Sequence, residues 1–184
     1  MFIQTETTPN PATLKFLPGQ EVVASGSYDF RTLDEAAVSP LAHRLFGISG
    51  VVGVFLGQDF ISVTKQDGEW QHMKPVVLGV IMEHYLAGVP VIAESEVPAA
   101  GEEFFEASDT EIVDTIKELL ETRVRPAVAQ DGGDIVFRGF RDGIVYLAMQ
   151  GACAGCPSST ATLQYGIQNL LKHFVPEVEE VRPY

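Results

Sequence analysis

The sequence predicts an α+β protein made of two small mixed domains. Its 184 residues, 46% of them apolar, suffice for one large core or two small ones. Strand-like and helix-like runs alternate on both sides of one abrupt change in composition. That change falls at residues 94 to 109, ESEVPAAGEEFFEASD, where six acids occur without a base and Pro98 to Gly101 add small and rigid residues. Such a stretch reads as an acidic linker. The expected division is a domain over 1–93, a linker over 94–108 and a second domain over 109–184. Phe104 and Phe105 inside the linker are expected to pack on a neighbouring domain rather than serve as a docking motif, because aromatic side chains usually bury their area.

In the first domain, FIQTE and TLKFLP read as short strands separated by the turn-rich TTPNPA. Ser39-Pro40 opens a short helix, PLAHRLFG, with proline at a favoured first-turn position and Gly47 at its end. GVVGVFLGQDFISVTKQDGEW reads as a hairpin turning at Gly57-Gln58-Asp59. WQHMKPVVLGVIMEHYLAG then reads as a long helix ending at Gly88 and weakened in its middle by Gly79.

In the second domain, Ser108 and Glu111 have capping-box spacing ahead of Ile112, Val113, Ile116, Leu119, Leu120 and Val124. Arg123 and Arg125 are expected in the last turn, where a helix dipole favours cations, and Pro126 ends or restarts the helix. DIVFRGF and GIVYLAMQ are expected as a hairpin, since Asp142-Gly143 between them is a strong turn signal. A last helix carries Leu163, Ile167, Leu170, Leu171 and Phe174 on one face, and EVEEV reads as a short final strand.

The net charge of −13 and pI near 4.6 argue against a nucleic-acid groove or an anionic membrane surface, both of which need clustered Lys and Arg. No segment has the pattern of a signal peptide or the roughly 20 apolar residues of a membrane span. The expected setting is a bacterial cytoplasm, or a mitochondrial matrix if the chain is a processed eukaryotic form. Thiols stay reduced there, so a C-x-x-C is expected to be catalytic or metal-binding rather than a structural disulfide.

Only two cysteines occur, Cys153 and Cys156, in MQGACAGCPSSTATLQ between a predicted strand and a predicted helix. A helix start nearby favours thiolate, the form that binds metal or attacks a disulfide. Ala154 and Gly155 let the backbone approach a bulky inorganic core, and the aromatic residue and internal proline usual in thioredoxin-type dithiols are missing. From Gly143 to Leu171 no residue is charged, although 20% of the whole chain is. On the last helix Thr160, Thr162, Gln164, Gln168 and Asn169 stand where a solvated helix shows Lys and Glu, which suggests a surface that docks on another protein or a second copy.

A tetrahedral metal or a [4Fe–4S] cluster wants four protein ligands, so these two thiols make half a site that two chains could complete about a two-fold axis. The other readings left open by the residues are a dithiol redox pair, a zinc-bridged module and an inert reduced pair. His43, His72 and His84 are scattered without metal-ligand spacing and are expected to be surface or packed imidazoles, and His173 lies too far along the last helix to join the cysteines.

RPAVAQDGGDIVFRGF followed by GACAGCPSSTATLQYGIQNLL resembles the NifU-like C-terminal domain of Nfu-type iron–sulfur cluster carriers. MFIQTETTPNPATLKFLPG, GVFLGQDFISVTK and the W…KP helix resemble the Nfu N-terminal domain, so the likeness covers nearly everything outside the linker. The resemblance implies a non-enzymatic carrier that binds a [4Fe–4S] cluster between two subunits through Cys153 and Cys156, with [2Fe–2S] also allowed. It further implies an upstream scaffold as donor and apo-proteins such as lipoate synthase, aconitase or respiratory-complex subunits as recipients. Asp131, Gly132, Gly133 and Asp134 match the family's DGGD, which reads first as a turn whose glycines supply positive φ, and alternatively as a contact beside the cluster.

Overall fold

Alternation along one strand sets the first sheet: Leu14 and Phe16 point into the core, while Lys15 points to the other face, beside Glu6 at 3.6 Å and over the Phe60 ring at 4.7 Å. The computed structural model describes residues 2–24, 26–93, 103–151 and 157–184, with side chains from 161 onward in the last segment. The chain is α+β and divides into two units, Met1–Pro98 and Ala99–Tyr184.

The N-terminal unit carries β1 (Gln4–Thr7), β2 (Thr13–Leu17), β3 (Tyr28–Phe30), α1 (Pro40–Phe46), β4 (Val51–Leu56), β5 (Ile61–Lys65) and α2 (Trp70–Leu86). The strands form an antiparallel sheet in the order β1-β2-β5-β4-β3. Strand β3 has no counterpart in the sequence reading, because three residues are too few to show a period. Leu41 and Leu45 of α1 and Val77 and Ile81 of α2 pack with Phe16, Leu56, Ile61 and Val63 into one core. Ser39 caps α1 by accepting from the Ala42 N–H at 3.1 Å, and its hydroxyl donates to the Val91 carbonyl at 2.6 Å. At the β4–β5 turn the Gly57 N–H donates to the Phe60 carbonyl, and a Cβ on Gly57 would fall 2.4 Å from the Phe60 ring.

Helix α2 runs unbroken through Gly79 and through Pro75. Pro75 lies on the exposed side, where water can satisfy the carbonyl that loses its N–H partner.

The C-terminal unit begins with a single 3-10 turn, Ala107–Asp109, leading directly into α3 (Thr110–Leu119). Ser108 is therefore inside a turn, not at the helix boundary, and the predicted capping box does not form; instead the Thr110 hydroxyl donates to the Ala107 carbonyl at 2.8 Å. Nor does the helix stop after Arg125. It passes through a π turn, Leu120–Val124, into α4 (Arg125–Gln130). The wider turn reconciles Pro126, which has no N–H and crowds the preceding turn, with a continuing helical path.

Strands β6 (Gly133–Arg141) and β7 (Ile144–Gly151) form a hairpin through Asp142 and Gly143, both at positive φ (53° and 78°) as a two-residue turn of this kind requires. Helix α5 (Pro157–Phe174) leads to β8 (Glu180–Pro183), which pairs parallel to β7. The final strand lies three residues later than EVEEV predicts, because Val175 and Val178 are drawn into the core before the chain joins the sheet.

Phe104 belongs to this unit. Its N–H donates to the Arg138 carbonyl at 3.1 Å, and its carbonyl accepts from the Phe140 N–H at 2.9 Å, beside the bulge in β6. The ring occupies the place of a side chain at Gly139, 5.2 Å from Tyr146 and 5.8 Å from Tyr184, while Phe105 stays partly exposed. Of the residues read from sequence as linker, Phe104 is thus docked on the sheet and Glu103 is tied to Lys117 by an ion pair.

Two outcomes follow from these packings. Phe104→Ala should cost the C-terminal unit about 2 kcal/mol in urea unfolding, the size expected for a half-buried aromatic, and leave the transition reported by Trp70 unchanged.

His84 is fully buried, and among the described residues no well-formed hydrogen bond reaches either ring nitrogen, although the Pro90 and Val89 backbone lies close. Burial, then the Arg44 guanidinium, holds its pKa below the ordinary value, against a weaker pull from the Pro90 and Val89 backbone. The unfolded chain therefore binds the proton more readily, so stability should be full above about pH 6.5 and fall as pH drops below it. Trp70 fluorescence during thermal unfolding should show this slope, and His84→Leu should flatten it.

Candidate functional site

The frame of the site is a strand end and a helix start, with five residues of sequence between them. Cys153 and Cys156, the candidate ligands, lie outside the described residues, as do Ala152, Ala154 and Gly155. What leads into and out of the loop is defined. Strand β7 runs to Gly151, which adopts positive φ (66°), and α5 begins at Pro157, directly after the second cysteine. A strand and an eighteen-residue helix thus fix both ends of a short segment.

The DGGD turn stands next to the entrance of that loop. Gly133 is the register partner of Gly151, two residues before Cys153, and Asp134 is the partner of Gln150. Gly132 takes positive φ (78°), as the turn reading expects, whereas Gly133 is already the first residue of β6. DGGD is thus a turn, as its first reading expects, and its second half is paired with Gln150 and Gly151 at the end of β7.

Asp134 is a buried carboxylate at the mouth of this pair. Arg125 grips it with two parallel bonds, Nε to Oδ1 and Nη2 to Oδ2, each 2.9 Å, and Oδ1 also accepts the Ile135 N–H at 2.8 Å. Glu121 holds the remaining end of the guanidinium at 2.5 Å. Two carboxylates around it, Asp134 first, raise the Arg125 pKa against the cost of burial, so the cation persists at every accessible pH. The sequence reading placed Arg125 in a last helical turn to serve the dipole. In the structure it starts α4 and serves Asp134, while Arg123 lies over the Phe174 ring at 4.9 Å. The signal for this clamp was present: an acid at the head of the apolar run Ile135-Val136-Phe137 needs a cation when the strand is buried.

Two of the uncharged polar residues on α5 have an internal explanation. Gln164 donates to the Val181 carbonyl at 2.5 Å, and Gln168 accepts the Val181 N–H at 3.2 Å. They satisfy the open edge of β8 and so are not free for a docking partner, which corrects that part of the expected surface. Asn169 remains exposed; Thr162 is exposed as well and engaged in an internal contact. Among the described residues no three or more His, Cys, Asp or Glu side chains gather as a metal site, and His43 and His72 are exposed singly. No helix among them is long and apolar enough to cross a membrane.

The clamp yields a direct expectation. Asp134→Asn removes the buried member of the clamp, leaves the half-buried Arg125 guanidinium with Glu121 alone, and should cost about 2 kcal/mol in the C-terminal unit. Hydrogen exchange at Gly151 should accelerate more than at the far end of the hairpin, near Val145.

Comparison with known proteins completes the description. Residues 3–88 match the family model described as Scaffold protein Nfu/NifU N terminal, and residues 116–182 match the NifU-like domain. A human protein named NFU1 iron-sulfur cluster scaffold homolog, mitochondrial, is 51% identical over 98% of this chain and 71% of its own length. The protein of the same name in Drosophila sechellia is 53% identical over 98% of this chain, which spans 64% of that relative. NifU-like protein 4, mitochondrial, of Arabidopsis thaliana is 50% identical over 98% of this chain and 65% of its own. With both domain models matched in order and half of all residues shared along nearly its whole length, the chain belongs to the Nfu/NifU family.

Proposed function

We propose that this chain is a non-enzymatic iron–sulfur cluster carrier. It takes a [4Fe–4S] cluster as cargo between two copies of itself, each giving Cys153 and Cys156, and passes it to apo-proteins. The observation that carries the reading is the ligand count: the whole chain has two thiols, at the joint of β7 and α5, in a family whose named members are cluster scaffolds. A cluster with four ligands then needs a second chain.

The surroundings support this use. The α5 N-terminus begins one residue after Cys156, and its positive end favours thiolate and an anionic cargo. From Gly143 to Leu171 the chain carries no charge of its own, and the nearby Asp134 carboxylate is neutralised by Arg125. Gly133 and Gly151, paired at the end of the β6–β7 hairpin, bring no side chain to the residues that precede Cys153. A cargo held by two thiols from each of two chains is surrendered when the chains part, which suits delivery better than permanent electron transfer. The acidic segment before Phe104 tethers the two units, an upstream scaffold supplies the cluster, and [2Fe–2S] is a smaller cargo that the same four thiols could hold. Relatives named as mitochondrial match nearly the whole chain, which supports a matrix-like compartment, reducing as the thiols require.

Anaerobic reconstitution with iron and sulfide should give broad absorption at about 400 nm, about four irons per dimer, and a mass shift from monomer to dimer. Cys153→Ser or Cys156→Ser should abolish all three. A protein that stays colourless and monomeric sinks the proposal, and a reversible intramolecular disulfide with thiol-exchange turnover would replace it with a dithiol redox role.

A further inference from the structure

Strand β6 is the outer strand of its sheet. One side pairs with β7, and the other meets, among the described residues, a single isolated bridge to Phe104. An open strand edge of this kind is a template for an added strand. The bridge shows which chemistry the edge takes. The Phe104 N–H donates to the Arg138 carbonyl, and the Phe140 N–H donates to the Phe104 carbonyl. The Phe104 ring fills a seat that exists because residue 139 has no side chain, since a Cβ there would overlap it. Tyr146 and Tyr184 wall the seat, their ring centroids 5.2 and 5.8 Å away, and Glu103 gives an acid to Lys117. The resident is thus an acid followed by phenylalanine in extended backbone.

Two cations beside the seat stay unused. Arg138 and Arg141 flank it, the Arg141 guanidinium 5.8 Å from the Phe104 ring, and neither forms an ion pair among the described residues. In a chain with 25 acids against 12 bases, two such guanidiniums on one open edge are out of keeping with the rest. The reason is local. The bridge is parallel, and the resident leaves it after one residue because the chain turns at Ala107–Asp109 into α3. A segment not tied to α3 can continue alongside β6 toward Arg141. Ring surface bordered by free guanidiniums, with Tyr184 73% exposed, selects an acidic strand that carries an aromatic side chain.

We propose that the Gly139 seat is a docking site for an extended acidic segment bearing phenylalanine in another protein, which displaces Glu103 and Phe104. The incoming strand repeats the resident's backbone bonds and ring contact, and its acids on either side of the phenylalanine pair with Arg138 and Arg141. Those added pairs offset the resident's tethering, an effective concentration on the order of millimolar. The site uses neither cysteine and does not depend on the carrier reading.

The test uses the full chain and the fluorescein-labelled peptide GEEFEEG, followed by fluorescence anisotropy. Binding should saturate, and F104A, which empties the seat, should tighten it about tenfold. G139A in the F104A background should undo that gain, with circular dichroism unchanged. R138Q and R141Q should each weaken binding about threefold. Because F104A lowers stability, these two substitutions are also made in the parent chain, where they carry the test without it. The peptides GEEAEEG and GQQFQQG should each bind about tenfold more weakly than GEEFEEG. No binding to parent or F104A chain, equal binding of GEEAEEG, or indifference to R138Q and R141Q overturns the proposal. Self-association of the parent chain that F104A abolishes also overturns it, because the seat then serves a second copy.

Discussion

A buried carboxylate organises the C-terminal unit. Asp134 stands near the head of β6, ahead of the apolar run Ile135-Val136-Phe137, and burying a carboxylate without a partner would cost several kcal/mol. Arg125 removes that cost with two parallel bonds at 2.9 Å, and to reach it the chain must bring the start of α4 against the start of β6. The π turn before Arg125 and the positive φ of Gly132 after Gln130 both serve this closure. Once Asp134 is fixed, its register partner Gln150 and the neighbouring pair Gly133–Gly151 are fixed as well. The base from which the cysteine loop springs is thus set by an ion pair whose members are remote from the thiols in sequence.

The helix on the other side of the loop is anchored differently. Leu171 and Ile167 hold α5 in the core, while Gln164 and Gln168 bind both backbone groups of Val181. These amides substitute for a further strand on the edge of β8, so α5 and β8 support each other. A helix locked at four points presents its N-terminus to the loop in one orientation, and that is the condition for using its dipole on a thiolate or a cluster. Phe104 closes the opposite edge by filling the space above Gly139 and bonding to both sides of the bulge.

The N-terminal unit contrasts with this. Its sheet and two helices form a self-sufficient core with no clustered ligands or nucleophiles among the described residues, and its unusual feature is the outward apolar stripe of α2.

Much of this was legible in the residues alone. The hairpins announced themselves through Asp142-Gly143 and the Gly57 turn, the helices through their apolar period, and the candidate site through two cysteines in a chain with no others. These are local signals, in which turn chemistry and periodicity act over a few residues, or simple counts. What the sequence did not reveal depends on residues far apart. The capping box failed because a 3-10 turn moved the helix boundary, and Arg125 was misread because its partner lies nine residues on, beyond a helix and a turn. Gln164 and Gln168 read as an outward polar face until β8 appeared beside them. The sequence by itself determined the elements and the number of thiols, because each is set by short-range preference or by simple count. Only the tertiary structure decided which polar groups are consumed inside and which surface is left over, because that depends on where the chain returns to meet itself.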